Sequence, residues 1–246
     1  MKLTEIIKSY IFVRKCVSCD EILAYDEAEN SFCAECAIKW NVSKAQTCPT
    51  CYKSAFECTC MPKLLSKAGV PCLVKLGFYN KDKYNEPQNK IIYFLKHNKN
   101  KRAARFIAKE LVSLIKRETE IIGVENLSEE AVITWVPRSK KAKAEEGHDQ
   151  SELVCRQLSE LLRVPSREMI FRKRGAKEQK RLDSKSRSKN IKNSFVFNKK
   201  LSAYCGKAVI LFDDIVTTGA SMSEAVALLR KNGFKAIICV TICSVM

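Results

Sequence analysis

Apolar and polar positions change their spacing along this chain, and each spacing predicts an element. Residues 91–95 and 105–116 set apolar side chains at helical intervals among Lys and Arg, the pattern of amphipathic helices laid on a core. Residues 131–136, AVITWV, form a short β-rich run ended by Pro137, which predicts a buried strand leading into a loop. Helical spacing returns over 151–162, with Leu153, Val154, Leu158, Leu161 and Leu162 on one face, and residues 195–197 read as a short strand. Residues 207–212 hold Val209, Ile210, Leu211 and Phe212 in the near-continuous run expected of a strand covered on both faces. That run stops at Asp213 and Asp214. Small and hydroxyl residues follow in IVTTGAS, then a helix from about Ser221 to Asn232 closed by Gly233, then a second apolar run over 236–243. Strand, loop, helix and strand in about 35 residues make a βαβ unit, so the fold class is α/β with a Rossmann-like parallel sheet.

The first sixty residues follow another logic. Of thirteen cysteines, eight fall between residues 16 and 60: Cys16, Cys19, Cys33, Cys36, Cys48, Cys51, Cys58 and Cys60. The odd total, with no signal peptide in MKLTEIIKSYIFVRKC, argues against a disulfide framework. Cys-x-x-Cys recurs three times before Cys58-x-Cys60, and each tight pair lets two thiolates meet one ion, so four pairs make two structural Zn2+ sites. Repetition at this density also argues against redox Cys-x-x-Cys chemistry. A sequential scheme joins Cys16, Cys19, Cys33 and Cys36, then Cys48, Cys51, Cys58 and Cys60; a crossed scheme would join alternate pairs. The sequential scheme closes shorter loops and is favoured. The segment has no His ligand and is acidic, with Lys39, Lys44 and Lys53 against seven Asp and Glu, so it reads as structural or as a protein contact. Past Pro62 the cysteines thin out, which puts a boundary near residues 60 to 72.

Composition adds two constraints. With 46% apolar residues the chain can bury a core, yet it has no apolar run near the roughly 18 residues that span a bilayer, so it is expected to be cytoplasmic. Its formal charge is +17, and eight thiolates on two Zn2+ lower that only to about +13, a surface that draws anionic partners.

The loop after residues 207–212 occupies the place where open α/β sheets bind ligands. Small residues let backbone N–H groups approach a phosphate, Thr217, Thr218 and Ser221 offer hydroxyls, and the helix N-terminus favours negative charge. Two adjacent carboxylates can accept from sugar hydroxyls. Neither a Walker loop nor a dinucleotide fingerprint is present. The plainer alternative is a helix cap made by Ser221.

The stretch LFDDIVTTGAS resembles the phosphoribosyl pyrophosphate (PRPP) signature of type I phosphoribosyltransferases, and the chain from about Cys16 to Cys243 resembles the ComF family of competence proteins. Trp135-Val136-Pro137, Gly147-His148-Asp149-Gln150, and the spaced Gln179, Leu182, Arg187, Asn190 and Phe195 carry the narrower likeness; Glu146, His148 and Ala176 depart from its usual arginine, aromatic and threonine. The resemblance implies a zinc-ribbon module over 1–62 and a phosphoribosyltransferase-like domain over 63–246. It implies that Asp213 and Asp214 face ribose hydroxyls, that Val216, Thr217, Thr218, Gly219, Ala220 and Ser221 hold the 5-phosphate, that Arg138, Ser139 and Lys140 face the pyrophosphate, and that Mg2+ accompanies PRPP.

Residues 172–192 carry ten cations, Arg172, Lys173, Arg174, Lys177, Lys180, Arg181, Lys185, Arg187, Lys189 and Lys192, against Glu178 and Asp183. By resemblance this is the loop that closes over substrate; its charge suits the phosphates of a strand, and a solvated basic loop is the alternative. Phe171 and Phe195 bracket it as candidate base-stacking rings or core residues. Three functions compete: handling of incoming single-stranded DNA in natural transformation, beside a competence helicase or translocase and with a PRPP or ribose-5-phosphate pocket; a phosphoribosyltransferase using PRPP and Mg2+; and a ligand-sensing regulator reading duplex DNA through its zinc module.

Overall fold

The computed structural model describes residues 13–24, 30–173 and 194–245, without the side chains of Lys140 and Lys141. The cysteine module contributes one helix, α1 (Ala34–Lys44), and a short helix, α2 (Lys63–Lys67), follows its last cysteine. Beyond it come β1 (Leu73–Val74), β2 (Gly77–Phe78), α3 (Pro87–His97), α4 (Lys101–Ile121), α5 (Leu127–Glu130), β3 (Ala131–Trp135), α6 (Lys140–Glu146) and α7 (Gln150–Leu162). The rest is β4 (Ile170–Arg172), β5 (Phe195–Phe197), a 3-10 turn (Lys199–Tyr204), β6 (Ala208–Val216), α8 (Ala220–Lys231) and β7 (Ile237–Ser244).

The main sheet is wholly parallel in the order β1-β7-β6-β3, with β2 also on β7. β1 and β2 keep one register against β7, Leu73 opposite Cys239 and Gly77 opposite Cys243, so they are one edge strand interrupted at Lys75 and Leu76. β6 and β7 are buried almost throughout, which explains their unbroken apolar runs. Helices cover both faces. α3, α4 and α7 pack with Ile133, Ile210, Phe212 and Val240 on one side. α8, α2 and the antiparallel hairpin β4–β5 pack with Val132, Val209, Leu211 and Cys239 on the other.

Two expectations change. β6 does not stop at the acid pair but runs through it to Val216, because β7 goes on pairing with it: Asp213 lies opposite Thr241 and Val216 opposite Ser244. The helix expected from Ser221 starts at Ala220 with Gly219 as its N-cap, so Ser221 is a residue of the first turn and not the cap. Residues on the two sides of position 62 share one core: Cys16, Phe32, Cys33, Cys36 and Trp40 cluster with buried residues of α3, α4 and the sheet.

Candidate functional site: an acid pair, a glycine-centred loop and two cysteine clusters

β6 delivers Asp213 and Asp214 next to each other at its carboxyl end. Alternation along the strand points them apart. Asp214 is buried and accepts from the Gln150 side-chain amide at 2.8 Å, and its carboxylate lies 3.3 Å from the Lys96 ammonium. Burial opposes its ionisation, but Lys96, Gln150 and the Ile215 N–H at 2.9 Å outweigh that and hold the carboxyl below the usual value. Asp213 is partly exposed, and its carboxylate takes the Asp214 N–H at 3.0 Å. Loss of solvent, then the neighbouring Asp214 charge, push it well above the ordinary carboxylate range. The pair thus holds one fixed anion and one carboxyl that takes up a proton readily.

The loop beyond is shaped by Gly219. Its φ of 74° lies in the left-handed region, and a Cβ there would stand 3.2 Å from Leu65 Cβ and 3.4 Å from Pro62 Cβ. The residues just after the second cysteine cluster therefore form the backing of the loop. Val216 is buried, Thr217 exposed and Ser221 half-buried. Thr218 Oγ1 accepts from the Ala220 N–H at 3.4 Å, and no side chain of the N-cap covers the first-turn N–H groups.

The β3–α6–α7 connection reaches the acid pair through Gln150. Ser139 caps α6 by accepting the Ala142 N–H at 3.1 Å, so its oxygen already serves the helix; Lys140 opens α6. Asp149 caps α7 through Ser151 and Glu152 and takes Lys143 at 3.2 Å and the Arg138 N–H at 3.5 Å. Four buried polar atoms cluster in sequence here without a partner among the described residues: Trp135 Nε1, Arg138 Nη1, Gln150 Oε1 and Ser151 Oγ. Of the three departures from the family pattern, Glu146 and His148 clasp α3, and Ala176 lies outside the described residues. Glu146 accepts from His97 Nδ1 at 3.0 Å, and the ring nitrogens of His148 lie 2.8 Å from the carbonyl oxygens of Glu146 and Leu95.

Lys96, Lys143 and Gln150 were not among the candidate residues. Gln150 sits inside a stretch carrying the family likeness, which was its available signal. Lys96 is one lysine among many, and only tertiary packing brings α3 to the end of β6.

The cysteines gather as two groups, Cys16, Cys19, Cys33 and Cys36, and Cys48, Cys51, Cys58 and Cys60, with all sulfurs of each group within 4.8 Å of one another. Cys19 and Cys33 Sγ are 3.7 Å apart, close to the roughly 3.8 Å edge of a tetrahedron with metal–sulfur bonds of about 2.3 Å. The first pair of each group sits on the same knuckle. Ser18 N–H reaches Cys16 Sγ at 3.5 Å as Thr50 N–H reaches Cys48 Sγ at 3.4 Å, and Asp20 and Tyr52 take left-handed φ of 62° and 61°. Burial opposes thiolate at both leading cysteines, yet the knuckle N–H groups prevail and lower both, Cys48 to about 6. The donor set suits zinc.

Beneath the second group lies Lys75, 1% exposed, donating to the carbonyls of Cys58 at 2.6 Å and Cys60 at 2.9 Å. This lysine interrupts the edge strand, and so ties that group to the sheet.

Of the basic segment, Arg172 and Lys173 leave the end of β4, while Arg174, Lys177, Lys180, Arg181, Lys185, Arg187, Lys189 and Lys192 lie outside the described residues. The bracketing phenylalanines separate: Phe195 is buried, with the Arg172 guanidinium 5.6 Å from its ring, and Phe171 is on the outer face of the hairpin. Among the described residues no helix is long and apolar enough to cross a membrane.

A family model described as a phosphoribosyl transferase domain matches residues 152–246. DNA utilization protein YhgH of Escherichia coli (strain K12) is 27% identical over 155 residues, 63% of this chain and 66% of that protein. Competence protein F of Haemophilus influenzae is 34% identical over 92 residues, 37% and 40% of the two chains. Competence protein ComFC of Bacillus subtilis (strain 168) is 30% identical over 102 residues, 42% and 39%. Each match spans less than two thirds of the relative's own length. Among solved structures, the B. subtilis glutamine PRPP amidotransferase complexed with ADP and GMP aligns with 63% of this chain and 27% of its own, at 15% identity and a TM-score of 0.35; the fold assignment rests on the strand order itself. The chain is thus similar, over part of its length, to proteins named for competence and DNA utilization; residues 152–246 match a phosphoribosyl transferase domain, and ahead of them stands a cysteine module fitted to hold metal.

Proposed function

We propose that this chain handles single-stranded DNA during natural transformation and holds a phosphorylated ribose, as PRPP or as a 5-phosphate strand end, over Asp213 and Asp214. One observation supports the pocket most: the paired carboxylates near the end of β6 are followed by a glycine-centred loop and a helix start with glycine as its N-cap, and Asp214 bonds Gln150, one of four residues over 135–151 with an orphaned polar atom. In this reading Asp214, fixed by Lys96 and Gln150, accepts from a ribose hydroxyl. The loop of Thr217 to Ser221 gives N–H and hydroxyl donors to the 5-phosphate. Arg138 Nη1 has an unmet donor for a diphosphate. Carboxylate and phosphate oxygens together suit Mg2+, which would neutralise the charge of a diphosphate there, with Asp213 as the protein oxygen on offer. The names of the relatives, competence and DNA utilization proteins, support the DNA role, as does the excess of cations in 172–192.

A second reading, turnover of PRPP as a phosphoribosyltransferase, is favoured by Asp213, a partly exposed carboxyl with a raised pKa at the reacting end of the sheet. Calorimetric titration with PRPP and Mg2+ tests the pocket shared by both readings. Asp213→Asn combined with Asp214→Asn is expected to abolish binding with the circular dichroism spectrum unchanged, and unaltered PRPP affinity refutes the assignment. Pyrophosphate release with a nucleobase then separates enzyme from binding protein.

A further inference from the structure

α3 buries Ile91, Ile92 and Leu95 against the core, which leaves its opposite face to solvent. That face carries the rings of Tyr93 and His97, and the turn before the helix adds Tyr84. Tyr84 and Tyr93 are each 49% exposed, with centroids 5.6 Å apart at 75°, and Tyr93 lies 4.2 Å from the exposed His97 ring at 50°. Lys90 Nζ stands 4.3 Å from the centre of the Tyr84 ring. The row has a direction. His97 adjoins Lys96, whose ammonium is 3.3 Å from Asp214, and Glu146 holds the His97 ring at 3.0 Å. It begins one residue past the lysine that reaches Asp214 and runs back along the helix to the turn before it.

We propose that this row is a base-stacking track for a single-stranded nucleic acid whose phosphorylated sugar end occupies the Asp213–Asp214 pocket. The proposal rests on the reading of that pocket given above and adds the surface that takes the bases. Every base presents a π-face, so a row of rings accepts a strand of any sequence, whereas duplex bases are already stacked on one another. Lys90 sets an ammonium group beside the Tyr84 ring, placed for a backbone phosphate next to a stacked base. Two interactions therefore combine on α3 and the turn before it: ring faces for bases and the Lys90 cation for the backbone. A protein docking on α3 would use the same rings but show no preference for strandedness.

The test uses the full zinc-loaded chain and a 5-phosphorylated single-stranded oligonucleotide with 2-aminopurine near its phosphorylated end. Tyr84→Ala combined with Tyr93→Ala is expected to weaken binding roughly 10-fold or more and to abolish the stacking quench of 2-aminopurine. The salt slope should stay as in the wild type, because no charge is removed. Tyr93→Trp, which keeps a ring, should retain both affinity and quench. Both tyrosines are exposed, so thermal melting should not change. If the wild type binds and the double variant binds equally tightly, the track is refuted while the pocket stands. If the wild type binds no single strand but does bind PRPP, the DNA reading and the track fall together and the pocket remains.

Discussion

Asp213 and Asp214 are chemically identical neighbours that the fold drives apart. Asp214 gains Lys96 and Gln150, so its ionised form contributes stability above the unfolded carboxylate value of about 3.9, lost as pH falls through its lower folded value. Asp213 is raised, so its ionisation costs stability once pH rises through its folded value. Asp213→Asn should therefore stabilise the protein at neutral pH by ~1 kcal/mol, or about 2–4 °C in Tm. That gain should vanish below about pH 4, where Asp213 is neutral folded and unfolded. Asp214→Asn should instead destabilise by ~1–2 kcal/mol, a figure discounted because Lys96 is one-third exposed. Melting curves of both variants across pH check the signs; equal effects of the two substitutions would contradict the division of roles.

At the scale of elements, the βαβ unit β6–α8–β7 was legible because its strands are buried on both faces and so lack polar interruptions. The edge strand was not. Lys75 breaks its apolar pattern, and nothing local announces that a lysine will be buried to serve the carbonyls of Cys58 and Cys60. The acid pair and its loop could be read from sequence, since strand end, glycine and hydroxyls are contiguous. Their partner Lys96 could not, because it comes from another element. Cysteine spacing made the metal module readable, but not its common core with α4. Replacing Lys75 by Met keeps its bulk and removes its ammonium. The expected result is a loss of ~2–4 kcal/mol, from carbonyls left unpaired, and a 10- to 100-fold weaker hold on the second zinc in a competitive chelator titration. Unchanged zinc affinity would reduce Lys75 to packing.

For the whole molecule, the cysteine module and the sheet act as one body. Phe32 and Trp40 of the module pack edge-on against Phe106 of α4 at 5.3 and 5.6 Å, and Glu110 of α4 takes the Trp40 indole N–H at 3.1 Å and pairs with Lys44. The backing of Gly219 by Pro62 and Leu65 carries that continuity to the loop after β6. In the proposed reading, a strongly basic chain offers a phosphorylated sugar its acid pair and the bases of a strand its exposed rings. The measurement that tests this most directly is a titration of labelled single-stranded and duplex oligonucleotides over a range of salt, with and without PRPP and Mg2+. The account predicts tighter binding of the single strand, a log–log salt slope of about −0.7 per phosphate neutralised, and weaker binding of a 5-phosphorylated end when PRPP fills the pocket. Equal affinity for duplex and single strand, untouched by PRPP, would contradict it.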